Sequence, residues 1–125
     1  MKRDMDLIRR IVLATADLPQ YAQLQQLAGV DEREFVMHVA WLEEAGLVKA
    51  NVRVGMSESD GQYAFVWRLT WAGCEFADAV RSDTIWKKAK ETVIKPSASW
   101  TFDLLKEWLK TEISQGLPTL GRLGQ

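Results

Sequence analysis

Residues 30–48 read VDEREFVMHVAWLEEAGLV. Phe35, Val39 and Leu42 recur at the three- and four-residue steps of a single helical stripe, so the spacing predicts a helix from Asp31 to Ala45. Asp31 is placed to cap its N-terminus. Glu34, three residues on, completes a capping-box-like pair, and acids in a first turn also suit the helix dipole. Gly46 fits the left-handed position after the last turn, from which Leu47 can fold back toward Leu42. Two of the acids in this stretch therefore have a purely structural explanation.

Beyond Gly46 the hydrophobic period changes from 3.6 to 2. Val48, Ala50, Val52 and Val54 alternate with Lys49, Asn51 and Arg53. After the polar loop GMSESDGQ (55–62), Tyr63, Phe65, Trp67 and Leu69 alternate with Ala64, Val66 and Arg68. Two such runs around a glycine-bounded loop predict a β-hairpin. Helix, glycine, hairpin is the order of a winged helix, the hairpin being the wing.

Working outward, Met5, Ile8, Ile11, Val12 and Thr15 predict an amphipathic first helix that stops before Pro19. Residues 20–29, QYAQLQQLAG, admit either a short helix or an edge strand, because few apolar positions mark a period. Thr70 is expected to cap a helix with Trp71, Phe76, Ala77 and Val80 inward. Asp83 or Thr84 starts another, with Ile85, Trp86, Ala89 and Val93 on one side. KPSAS (95–99) reads as a linker, and Ser99 or Thr101 opens a last helix carrying Phe102, Leu105, Trp108, Leu109 and Ile113. The end, GLPTLGRLGQ, is expected to be mobile. The fold class expected is α+β: a winged-helix-like core over 1–82, a helical extension of two C-terminal helices over 83–116, and a flexible tail over 117–125.

Three stretches, MKRDMDLIRRIV, HVAWLEEAGLV and RLTWAGCEFADAVRSDTIWKKAKE, occur in that order. In this the chain resembles a family of small bacterial and phage proteins, domain-of-unknown-function family 2513. The resemblance covers nearly the whole chain and is weakest over 18–30 and 96–125. It implies a cytoplasmic protein, often encoded by prophages or other mobile elements, with a winged-helix-like core, and it implies no activity. It also implies that residues 20–28 are extended. The first helix of a standard helix-turn-helix would then be missing, and Asp31 to Ala45 would lack its usual brace.

Composition narrows the function classes. An apolar share of 47 % with six Trp is ample for a folded core. Cys74 is the only cysteine, so there is no internal disulfide and no cysteine cluster to hold a metal. No apolar run approaches the length of a membrane span, and Asp4, Asp6, Arg9 and Arg10 interrupt the signal-like start. A cytoplasmic protein without membrane contact is expected. His38, the only histidine, lies at the edge of the core stripe and reads as structural, with no nucleophile motif beside it. Cys74 near a helix start reads as a small buried packing residue, although a helix dipole there could activate a thiol. No zinc spacing, phosphate loop or dinucleotide fingerprint occurs, so neither enzyme activity nor a cofactor is expected.

The formal charge of −1 lacks the basic signature of a small DNA-binding domain. The helix itself carries Asp31, Glu32, Glu34, Glu43 and Glu44 against one base, Arg33, and its outward face offers few groups that read base edges. Duplex DNA is nevertheless a candidate partner, through Arg33, Lys49, Arg53 and Arg68 as phosphate contacts. Other bases fall on the first helix (Lys2, Arg3, Arg9, Arg10) and the fourth (Lys87, Lys88, Lys90), and all of them equally suit ordinary solvated faces. Val36, Met37 and Ala40, with Trp41 at the flank, are expected to face outward and form an apolar contact surface. Its occupant would be a host or phage protein, a second copy in a homodimer, or this chain's own last helices. The leading expectation is a non-enzymatic regulatory protein of a mobile element, acting by DNA binding or on a transcription complex. A pure protein-interaction module is the alternative.

Overall fold

The computed structural model describes residues 1–95 and 100–116. The chain divides into two compact units, Met1–Ala77 and Asp78–Gln125. The first contains α1 (Met5–Ala16), α2 (Glu32–Glu44), β1 (Val48–Arg53) and β2 (Tyr63–Leu69), and α3 (Trp71–Val80) crosses from it into the second. The second contains α4 (Asp83–Ala89) and α5 (Phe102–Gly116). This is the α+β, winged-helix-like arrangement expected, with the hairpin as its wing.

In the first unit α1 and α2 pack on each other and on the hairpin. α1 buries Met5, Leu7, Ile8, Ile11, Val12 and Thr15, and the Thr15 hydroxyl satisfies itself on the Ile11 carbonyl at 2.7 Å. Asp4 caps the helix by accepting from the Leu7 N–H at 3.2 Å. The chain then turns twice. Ala22 N–H bonds to the Pro19 carbonyl (3.1 Å) and Val30 N–H to that of Leu27 (3.1 Å). Each turn has a left-handed third residue, Tyr21 (φ 69°) and Gly29 (φ 76°), as a type II turn requires. Between them Leu24 pairs antiparallel with Val66, exchanging both backbone bonds at 3.0 and 2.9 Å. Residues 20–29 are thus extended where they meet the sheet, and among the described residues no helix precedes α2 within this segment. Arg10 on α1 holds the approach to α2 by donating to the Ala28 carbonyl at 2.7 Å.

α2 ends as its sequence demands. Asp31 accepts from the N–H groups of Arg33 (3.1 Å) and Glu34 (3.4 Å). Gly46 sits at φ 76°, its N–H bonded to the Glu43 carbonyl and that of Leu47 to Leu42, each at 3.0 Å, which is a Schellman cap. The Thr70 hydroxyl then ties the hairpin's far end to the same turn. It donates to the Gly46 carbonyl (2.6 Å) and accepts from the Gly73 N–H (3.0 Å), capping α3. Gly73 has no room for a side chain: a Cβ there would collide with the Leu47 carbonyl oxygen.

The hairpin pairs Val48 with Leu69, Lys49 with Arg68, Ala50 with Val66, Asn51 with Phe65, Val52 with Ala64 and Arg53 with Tyr63. Between Lys49 and Ala50 the register shifts, because Trp67 is an extra residue with no partner opposite, a β-bulge. Val66 and Leu69 therefore both turn inward, three residues apart, and Trp67 and Arg68 both face solvent. Trp71, expected inward on α3, is 81 % exposed; the buried stripe of that helix is Gly73, Phe76, Ala77 and Val80.

In the second unit Ser82 caps α4 by accepting from the Ile85 N–H (3.2 Å), and Trp86 and Ala89 are buried. α4 continues as a π-helical turn, Lys90–Ile94, closed by a Lys95 N–H to Lys90 carbonyl bond of 2.8 Å. Thr101 caps α5 by accepting from the Leu104 N–H at 3.2 Å, and Leu105 and Leu109 are the buried residues of that helix. Most of the proposed linker (96–99) and the tail over 117–125 lie outside the described residues. No helix among the described residues is long and apolar enough to cross a membrane.

Candidate nucleic-acid interface

Cross-strand partners in a sheet put their side chains on the same face, and residues two apart along a strand share a face. Lys49, Asn51 and Arg53 therefore stand together on the side of β1 away from the buried Val48, with Ala50 and Val52 on the other. Opposite them are Arg68, Phe65 and Tyr63. The bulge adds Trp67 to this outer face. Lys49, Arg53 and Arg68 are thus brought to one surface. Lys49 and Arg68 sit at the base of the hairpin and Arg53 near its tip, about 13 Å along the strand. The strands contribute three bases and no acid.

The tip loop supplies the acids. Asp60 accepts from Arg53 at 3.0 Å with one carboxylate oxygen and from the Met56 N–H at 3.0 Å with the other, so it holds the loop's shape while pairing Arg53. Glu58 reaches back to Arg33 at the start of α2 at 3.4 Å. Arg33 and Arg53 therefore flank the same loop, and each enters any complex with a carboxylate to displace. Exposed pairs of this kind are worth only about 0.2–1 kcal/mol. Lys49 makes no ion pair among the described residues, and Arg68 donates to the Leu69 carbonyl at 3.1 Å.

Three aromatic residues complete the surface. Tyr63 and Trp67 are 44 % and 47 % exposed, Phe65 is half-buried, and the Tyr63 and Phe65 rings lie 5.3 Å apart at a 31° tilt. In the sequence these three residues show only an alternation. The visible signal was that, up to the bulge, they share the parity of the basic positions opposite. The bulge at Trp67 leaves no signature in the letters.

The apolar face expected on α2 is narrower than its spacing suggests. Val36 is 1 % exposed and belongs to the core, which corrects its assignment as an outward contact residue. The reason is that α2 packs on α1 and on both strands, so its buried arc widens to take in Phe35, Val36, His38, Val39 and Leu42. Met37, Ala40 and Trp41 are half-buried and remain at the surface beside Arg33 and Glu44.

His38 is fully engaged. Its Nδ1 donates to the Glu34 carbonyl at 2.7 Å and its Nε2 accepts from the Asp4 N–H at 2.9 Å, which uses the tautomer with the proton on Nδ1. The Trp41 ring meets it edge-on, 5.0 Å between centroids. Cys74, expected to be buried, is exposed. Among the described residues no three metal-capable side chains gather.

A sequence model of a family described as Hypothetical protein (DUF2513) matches residues 2–99. A protein of Haemophilus influenzae, named only as an uncharacterized protein, is 32 % identical over 120 residues, which is 94 % of this chain and 99 % of that protein. No solved structure matches the chain significantly.

Proposed function

We propose that this chain, which belongs to the DUF2513 family, is a non-enzymatic regulatory protein of a prophage or other mobile element that binds DNA through its hairpin rather than through α2. The observation that carries this reading is the gathering of Lys49, Arg53 and Arg68 on one solvent face of strands that contain no acid. The helix that a winged fold normally lays in the major groove is unsuited to that role. Its one base, Arg33, is paired with Glu58, and Glu32, Glu34, Glu43 and Glu44 are exposed toward solvent. Such a helix repels phosphates, and the hairpin attracts them. Cytoplasmic action on duplex DNA or on a transcription complex fits this surface.

Fluorescence anisotropy with random duplex and with DNA from upstream of the gene, at about 50 and about 200 mM salt, tests the reading. Binding that weakens with salt, and that Arg53→Glu with Arg68→Glu abolishes, is the expected result. Binding unchanged by that pair sinks the assignment to the hairpin. A second reading, a protein-interaction module contacting a host protein or a second copy, is favoured by the half-buried strip of Met37, Ala40 and Trp41. Its signature is a dimer or a host-protein complex that Met37→Glu dissolves without altering DNA binding.

A further inference from the structure

We infer that the outer face of the hairpin takes single-stranded DNA, stacking unpaired bases on Trp67, Phe65 and Tyr63 while Lys49, Arg53 and Arg68 hold the phosphates. This deepens the proposal above and rests on it. A surface that only tracked the backbone of a closed duplex would need bases and no rings, because the π-faces of paired bases are hidden in the stack. Here the aromatic rings run along β2, with Lys49 and Arg53 across from them on β1 and Arg68 at the base of β2. Tyr63 is opposite Arg53, Phe65 opposite Asn51, and Trp67 is added beside Arg68 by the bulge. Tyr63 and Trp67, 44 % and 47 % exposed, leave ring surface on this face open to a ligand. Sheet faces that bind single strands combine exposed rings as stacking platforms with cations for the backbone, and this hairpin brings both kinds of group to one face. The charge also selects the occupant. Cations without carboxylates on the strands suit a polyanion, and the acids of the loop mark its limit near the tip, at Asp60. Asn51, exposed between Lys49 and Arg53, adds an amide that can bond to a base edge.

The test compares a fluorescein-labelled mixed-sequence single-stranded DNA of about twelve nucleotides with its duplex, in anisotropy titrations of the full chain and of Trp67→Ala, Trp67→Phe and Arg53→Glu/Arg68→Glu. The single strand should bind at least about ten-fold tighter than the duplex. Trp67→Ala should weaken it about ten-fold, the scale of one lost stacking contact, and Trp67→Phe should restore most of that loss. Thermal melting of each variant shows whether the fold is kept, which the exposure of Trp67 leads us to expect. Duplex bound as tightly as the single strand, or single-strand binding indifferent to Trp67→Ala, overturns this inference and leaves the DNA-binding proposal standing. RNA of the same sequence bound more tightly than DNA overturns the choice of occupant. No binding of any strand overturns both.

Discussion

His38 shows how one residue can be decided by its partners rather than by its type. A lone histidine on a helix invites a catalytic reading, yet both ring nitrogens are spent, one on its own helix and one on the Asp4 N–H just ahead of α1. His38→Ala should therefore cost about 3 kcal/mol in chemical denaturation, from the lost ring and the stranded amide. His38→Gln should recover part of that loss. The Asp4 amide should exchange with solvent far more slowly than that of Lys2 by hydrogen-exchange NMR, and should lose that protection in His38→Ala. Gly73 is a second such residue. Helix propensity alone would make Gly73→Ala stabilising by about 1 kcal/mol. The Leu47 carbonyl lies where the Cβ would go, so a loss of about 1–3 kcal/mol is expected instead, read as a lower melting temperature. The sequence places Gly73 in the first turn of a helix, but nothing in it sets Leu47 across from it.

At the scale of elements, the pieces with local causes were the legible ones. α2 was readable to its caps, because Asp31, Gly46 and Leu47 act within a few residues of one another. The hairpin was readable from its alternation and its glycine-bounded loop. Local spacing misleads where a distant partner decides. Val36 is buried because α2 has three neighbours and not one. The period of residues 20–29 is ambiguous because their regular structure is the pairing of Leu24 with Val66, more than forty positions away. For the candidate site the basic residues could be named from the sequence, but their assembly with the aromatic side chains depends on cross-strand register. Asp31→Ala should cost about 1 kcal/mol by removing two N–H contacts from the start of α2, measurable by urea denaturation with an unchanged slope.

For the whole molecule the decisive quantity is a charge of −1 distributed unevenly. If Lys49, Arg53 and Arg68 make the phosphate contacts, log K against log salt should fall with a slope of about −2 to −3, the shallower value for a single strand. A much steeper slope would bring in the bases of α1 or α4 and enlarge the interface beyond the hairpin. The bulge at Trp67 carries one further consequence, and it concerns heredity rather than force. Taking Trp67 away leaves Val66, Arg68 and Leu69 facing the same partners as before, now in strict alternation. A lineage can therefore lose or regain the largest ring of this surface by one codon, without re-threading the strand or moving any other side chain to the opposite face. Whatever the ring recognises can evolve on a different schedule from the fold that displays it.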